Sequence, residues 1–256
     1  MRQYPKYTPY DSRPSNPTLT IPIAEPYHDQ SLNNFNSIEN RNPFIRKVYT
    51  NLTIMWIITA LSCYGFMYNK TMKTFAATPQ AYTLLIFSII LLFGTVIIAA
   101  CSTDFVRKFP NDYIILCIFT VAQAYMLGVS CAYKDIHAIL LAAFATLVIT
   151  ITMTIFACQT TYDCTGMGSF LFTSLTGIIC INIVNLFVKS DTVNLLAACA
   201  SIVIFTGYLI YDTQLIVGGD HKYAFSTEEH AFATISLYLD IANLFVNLLQ
   251  IFDRSN

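Results

Sequence analysis

Charge is what this chain has least of. Only 11% of its 256 residues are Asp, Glu, Lys or Arg, against roughly 25% in an average soluble domain. Hydrophobic residues make up 55% and mean hydropathy is +0.55, which excludes an ordinary soluble domain and points to an integral membrane protein. An excess of basic residues is missing too. With a net charge of -1 and a pI near 6.4, no basic face exists to displace phosphate counterions, so nucleic acid is not an expected partner. The C-x-x-C spacing of metal and redox sites is absent. Cys63, Cys101, Cys117, Cys131, Cys158, Cys164, Cys180 and Cys199 stand singly in or beside apolar runs, a pattern of packing or inert thiols, and no cofactor is expected. Strict apolar–polar alternation is lacking as well, which excludes a membrane β-barrel and leaves helices as the spanning form.

What is present begins with a polar segment. Residues 1–46 hold seven of the nine prolines among Tyr, Asn, Ser and Thr, with no apolar run long enough to bury, and read as a disordered tail. They lack the charged start, apolar core and small-residue cleavage site of a signal peptide. The YPKYTPY stretch within them is a candidate docking segment for protein partners. From residue 47 onward the chain alternates apolar runs with short polar breaks, and a span takes about 20 apolar residues. Seven spans are expected, near 47–67, 82–101, 112–132, 137–157, 168–188, 194–217 and 230–252, punctuated by Pro79, Phe109-Pro110-Asn111, Gly166-Met167-Gly168 and Gly218-Gly219. The expected fold is an all-α seven-transmembrane-helix bundle over 47–256 with a disordered N-terminal tail over 1–46. Ala99-Ala100, Ala142-Ala143-Ala145 and Ala197-Ala198-Ala200 would let helix backbones approach closely.

Basic residues near the span ends set the orientation. With the tail in the cytoplasm, Arg41, Arg46, Lys47, Arg107, Lys108 and Lys222 fall inside, while Lys70, Lys73, Lys134, Lys189 and Arg254 fall outside. The C-terminus then lies outside, unless the last and most polar run re-enters rather than spans. The sequon at Asn69 faces the lumen but sits too close to the membrane for modification.

Two acids stand inside the apolar runs, Asp212 in the sixth and Asp240 in the seventh; the other thirteen lie in the tail, the breaks or at span ends. An ionisable group within a span costs several kcal/mol unless it faces the bundle interior with a partner. Asp212 lies six residues before Gly218, about 9 Å from the turn, and Asp240 lies about 12 Å deep if its helix enters near Phe232. Carried on antiparallel neighbours, the carboxyl groups can meet. Two carboxylates in one low-dielectric site cannot both ionise cheaply, so a proton becomes a ligand of the pair. Such a pair suits a pH-sensing gate, a cation site, a proton relay or an aspartyl-protease centre; the bland alternative is a contact that only sets register. Calcium prefers six to eight oxygens, so a transient calcium ion at Asp212 and Asp240 needs water or carbonyls to complete its shell. Ser226-Thr227-Glu228-Glu229 fits a capping box, and the same Glu228 and Glu229 are the candidate cation-gathering mouth.

These residues resemble the transmembrane Bax-inhibitor-motif family, in its lifeguard, glutamate-receptor-associated branch. The matching pieces are Phe44-Ile45-Arg46-Lys47-Val48-Tyr49, Arg107-Lys108-Phe109-Pro110-Asn111 and Phe156-Ala157-Cys158-Gln159-Thr160-Thr161-Tyr162-Asp163. Denser still are Tyr211-Asp212-Thr213-Gln214, Glu228-Glu229, Leu237-Tyr238-Leu239-Asp240-Ile241 and Asn243-Leu244-Phe245. Cys164 departs from the Phe common in relatives. The resemblance implies a seven-helix bundle of the endoplasmic reticulum, Golgi or related membranes, a calcium leak tied to pH, and suppression of cell death. Asp212 and Asp240 would be its pH sensor, with Arg107 as candidate latch. Calcium enters as permeant ion, and the lipid bilayer and apoptosis-regulating or receptor proteins bound by the tail are the expected partners.

Two other classes compete. A non-conducting membrane adaptor would need only the tail and the bundle. An intramembrane aspartyl protease also places Tyr-Asp on one span and Asp on the next, but its Gly-x-Gly-Asp context is replaced here by Leu237-Tyr238-Leu239 and its Pro-Ala-Leu signature is missing. A serine protease is weaker, because none of His28, His137, His221 or His230 lies deep in a span to serve Ser169 as base. The expectation is that the chain is not an enzyme.

Overall fold

In hydrocarbon an apolar run has no hydrogen-bond partner for its backbone except itself, and each apolar run of this chain is a helix. The computed structural model describes residues 38–101, 109–218 and 223–254, the side chains of 38–40 aside. In order come α1 (Ile38–Tyr68), α2 (Lys70–Ala76), α3 (Pro79–Cys101), α4 (Asn111–Cys131), α5 (Ile136–Gln159), a 3-10 turn (Thr165–Met167), α6 (Gly168–Val188), α7 (Asp191–Val217) and α8 (His230–Arg254). All but α2 are long and apolar enough to cross a membrane, and no strand occurs among the described residues. The all-α, seven-span expectation therefore holds.

Local chemistry fixes several helix ends. Asp135 accepts from the amides of His137 and Ala138 at 2.9 and 3.2 Å and so starts α5, while Ser190 caps α7 through the Val193 amide. Each satisfies amides that a helix start leaves without partners. Asn69 does the same for α2, a short helix that the sequence reading places in a plain break.

The first helix starts earlier than the expected residue 47. It runs from Ile38 with Pro43 inside it, and both Arg41 and Phe44 are buried. The tail boundary at 46 is thus corrected: 38–46 are helical, drawn in by the packing of Phe44 in the core and by the bonds of Arg41 described below. Residues 1–37 lie outside the described residues.

The last helix sits in the middle. α8 packs against α1, α3, α4, α5 and α7, and two-thirds of its most apolar stretch is buried, against about a sixth for α5 and α6 (67% against 17%). Its polarity has this cause: neighbouring helices, not lipid, surround it. The helix is unbroken over 25 residues, about 37 Å at helical rise, so the re-entrant alternative does not describe it. At its centre Tyr238 is fully buried, stacked on Trp56 at 4.9 Å and edge-on to Phe119 at 5.5 Å. Its hydroxyl lies 2.7 Å from that of Thr59. Of the expected small-residue contacts, Ala99, Ala142, Ala197 and Ala198 face inward. Phe93, Phe187 and Val203 point outward, the face such a bundle offers to lipid.

Candidate functional site

The helices that carry the two buried aspartates pack directly on each other. Asp212 of α7 and Asp240 of α8 are only 6% and 4% exposed, and their carboxyl groups lie within hydrogen-bonding reach of one another. The second oxygen of Asp240, Oδ2, is buried without a hydrogen-bond partner. An orphaned carboxylate oxygen in a buried site is costly. Tyr208, one turn before Asp212, lies within electrostatic reach of both acids and meets the Tyr211 ring edge-on at 6.5 Å.

Just beyond the pair, α7 ends among unusual contacts. Gln214 is fully buried; its Nε2 donates to the Tyr162 carbonyl at 2.9 Å, and its Oε1 accepts from the Cys164 amide at 2.8 Å. One side chain thereby pins the connection between α5 and α6 onto the aspartate helix. Asp163 in that connection accepts from both the amide and the hydroxyl of Thr165, and the Thr165 hydroxyl oxygen accepts from the Tyr223 amide.

Arg41 reaches the same end from α1. Its Nε donates to the carbonyl of Ile216 at 3.0 Å, and its Nη2 to those of Leu215 at 2.6 Å and Phe225 at 3.1 Å. The last carbonyls of a helix have no partners within it and carry partial negative charge, so a buried cation is well matched here. Sequence reading takes Arg41 only as one of the basic residues flanking the first span. The one signal for more was an arginine preceding a span that shares its end of the bundle with Gly218-Gly219.

A second polar cluster joins α1 to the starts of α4 and α8. His230 Nε2 lies 3.1 Å from Asp112 Oδ2, with both side chains buried. Lys47 Nζ stands 3.8 Å from the same oxygen and 5.3 Å above the Tyr113 ring. Sequence reading passes over Asp112 and His230 because both sit at span ends, where polar residues are ordinary.

The remaining expected site residues lie elsewhere. Arg107 falls within 102–108, outside the described residues. Glu229 accepts from the Ser226 amide at 3.0 Å, and Ser226 Oγ accepts from Glu228 at 3.4 Å. The capping box therefore closes in half, as a turn ahead of a helix that begins only at His230. Glu229 is eleven residues before Asp240, about 16 Å along the helix, so the structure does not bring the glutamates to the pair. Among the described residues no group of three or more His, Cys, Asp or Glu is placed to hold a metal. Two carboxyl groups do not make the donor set of a resident calcium site.

Comparison with known proteins agrees with this architecture. The model of the family described as "Inhibitor of apoptosis-promoting Bax1" matches residues 41–256. A Golgi anti-apoptotic protein of Vaccinia virus (strain Lister) is 32% identical over 220 residues, covering 86% of this chain and 89% of the relative. Protein LIFEGUARD 4 of Arabidopsis thaliana is 32% identical over 220 residues, 84% and 86% of the two chains. Protein LIFEGUARD 2 of the same plant is 31% identical over 221 residues, 84% and 89%. With the matched region spanning all seven apolar helices, the chain belongs to the Bax inhibitor family of membrane proteins, in its lifeguard branch, a family of regulators and not of enzymes.

Proposed function

We propose that this protein is a pH-sensitive calcium leak pathway of an intracellular membrane, gated by the Asp212–Asp240 pair, and that it suppresses cell death by lowering stored calcium. One observation carries the reading: two acids buried side by side, one with an orphaned oxygen, on adjacent helices of an apolar bundle. Such groups are expensive to keep in a membrane and mark ion or proton pathways. The viral relative's name supports the link to cell death and favours the Golgi membrane. Calcium is the transported ion, not a resident cofactor. The singly protonated pair holds α7 and α8 together through its shared proton. Losing that proton lets the charges repel, by about 4 kcal/mol at 4 Å and an effective dielectric near 20.

The test is calcium flux into liposomes that contain only this protein, measured across pH. A leak that varies with pH in the pure system supports the reading. A silent protein in liposomes, together with retained protection of cells, would instead favour the adaptor, with protein partners docked on the N-terminal tail.

A further inference from the structure

Residues 218–229 connect the two aspartate-bearing helices, and one side chain from a third helix grips described backbone at both ends of that connection. On the α7 side, Arg41 holds the carbonyls of Leu215 and Ile216; on the α8 side it holds that of Phe225. Leu215 closes the loop, since its carbonyl also accepts from the Phe225 amide at 3.0 Å. In an α-helix the amide of Ile216 bonds to the carbonyl of Asp212, so a displacement at Ile216 is passed to the acid within one turn. The grip is buried and lies 174 to 184 residues from Arg41 in sequence.

Gly218 is shaped for this grip. It ends α7 at φ 66° and ψ −143°, a conformation open essentially to glycine alone. A Cβ placed on it would run into Nε and Cζ of Arg41. The guanidinium occupies the room that any other residue would fill, so Arg41 and Gly218 form one device.

We propose that Arg41, seated by Gly218, is a positioning residue for the aspartate pair: it sets the register of α7 against α8 and hence the separation of the Asp212 and Asp240 carboxyl groups. This rests on the pair being the gate, but its first readout does not depend on flux. The full chain in nanodiscs is titrated by infrared spectroscopy, following the protonated-carboxyl band assigned by its loss in Asp240→Asn. Arg41→Gln and Gly218→Ala should each move the midpoint of that band by about half a pH unit or more. The double variant should move it no further than the larger single change, because both break the same grip. Arg41→Lys keeps the cation without the planar fork and should fall between. Amide exchange at Gly218 and Phe225, whose N–H groups bond to Gln214 and Leu215, should rise about tenfold in Arg41→Gln and Gly218→Ala.

Faster exchange with an unmoved carboxyl midpoint would make Arg41 a plain helix cap and overturn the proposal, as would additive effects in the double variant. If Arg41→Gln does not fold, Arg41→Lys and Gly218→Ala carry the same comparison. In liposomes the same variants should shift the pH–flux curve as they shift the band. A moved band in a protein that passes no calcium would sink the leak and leave the positioning role standing.

Discussion

His230 and Asp112 meet at 3.1 Å where α8 and α4 begin, and both side chains are about 95% buried. Neither residue is near the other in sequence, and Lys47 of α1 closes the cluster from its half-exposed position. Truncating Asp112 leaves the buried His230 imidazole and the Tyr113 amide without the partner they have now. Asp112→Ala should therefore destabilise the bundle by about 2–3 kcal/mol, while Lys47→Ala should cost within about 1 kcal/mol because water already screens it. Equilibrium unfolding in mixed micelles reads both. Equal losses from the two variants would show that the cluster is not held by the His230–Asp112 contact.

The aspartate pair gives a second prediction. Asp212→Asn and Asp240→Asn should each flatten the pH dependence of calcium flux, and the double substitution should add little, since both act through one coupled unit. Single variants that retain the wild-type pH–flux curve would reduce the pair to a register-setting contact.

How much of this was legible in the sequence depends on how far apart the partners lie. The seven apolar runs gave the spanning helices to within a few residues except at the start of α1, and the positions of Asp212 and Asp240 in adjoining runs were enough to suggest that they meet. Arg41 escaped because periodicity is local, whereas its partners are Leu215, Ile216 and Phe225. Pro43 and the polar residues around it hid the true start of α1 for a related reason: its first turns are stabilised by tertiary contacts, not by helix propensity. Gln214 could have been suspected, since an amide beside an intramembrane acid must find partners, but nothing in the sequence said that they would be Tyr162 and Cys164.

Gln214 supplies the third prediction. Its two bonds fasten the α5–α6 connection, and Gln214→Leu would leave the Cys164 amide without its partner. We expect a loss of about 1–3 kcal/mol together with faster amide exchange at Cys164 and new proteolytic cleavage near Tyr162. An unchanged exchange rate at Cys164 would show that the connection is secured by Asp163 and Thr165 instead.

The N-terminal boundary is the fourth. Deleting residues 1–37 should leave unfolding and basal flux as in the intact chain, while deleting 1–46 should destabilise the bundle by removing Phe44 from the core and Arg41 from the end of α7. Circular dichroism melts of the two truncations in one detergent compare them directly. Equal stability of the two would contradict the helical start at Ile38.

A fifth concerns the close approach of α1 and α4. A Cβ at Gly128 would stand 2.5 Å from the Phe66 ring and 2.8 Å from Ser62 Oγ, and Ser62 bonds to the Ala124 carbonyl at 2.8 Å. Gly128→Ala should cost about 1–3 kcal/mol through overpacking, and Gly128→Ala combined with Phe66→Leu should recover part of it. The same unfolding assay decides whether the second change rescues or worsens the first.

The central place of α8 has a consequence for how the protein is made. Synthesis delivers this helix after α1–α7, yet five of those are packed around it. Until it arrives, the outer helices must wait in the bilayer with their inward faces, among them Asp212 and Thr59, turned toward lipid or loosely toward each other. The newly emerged α8 in turn brings Asp240 and Tyr238, which lipid cannot satisfy. Its entry is therefore driven by the helices already present more than by its own affinity for hydrocarbon. A ribosome that stops before residue 230 would leave behind six inserted helices and an open groove, a species that membrane quality control can recognise by its unburied polar side chains.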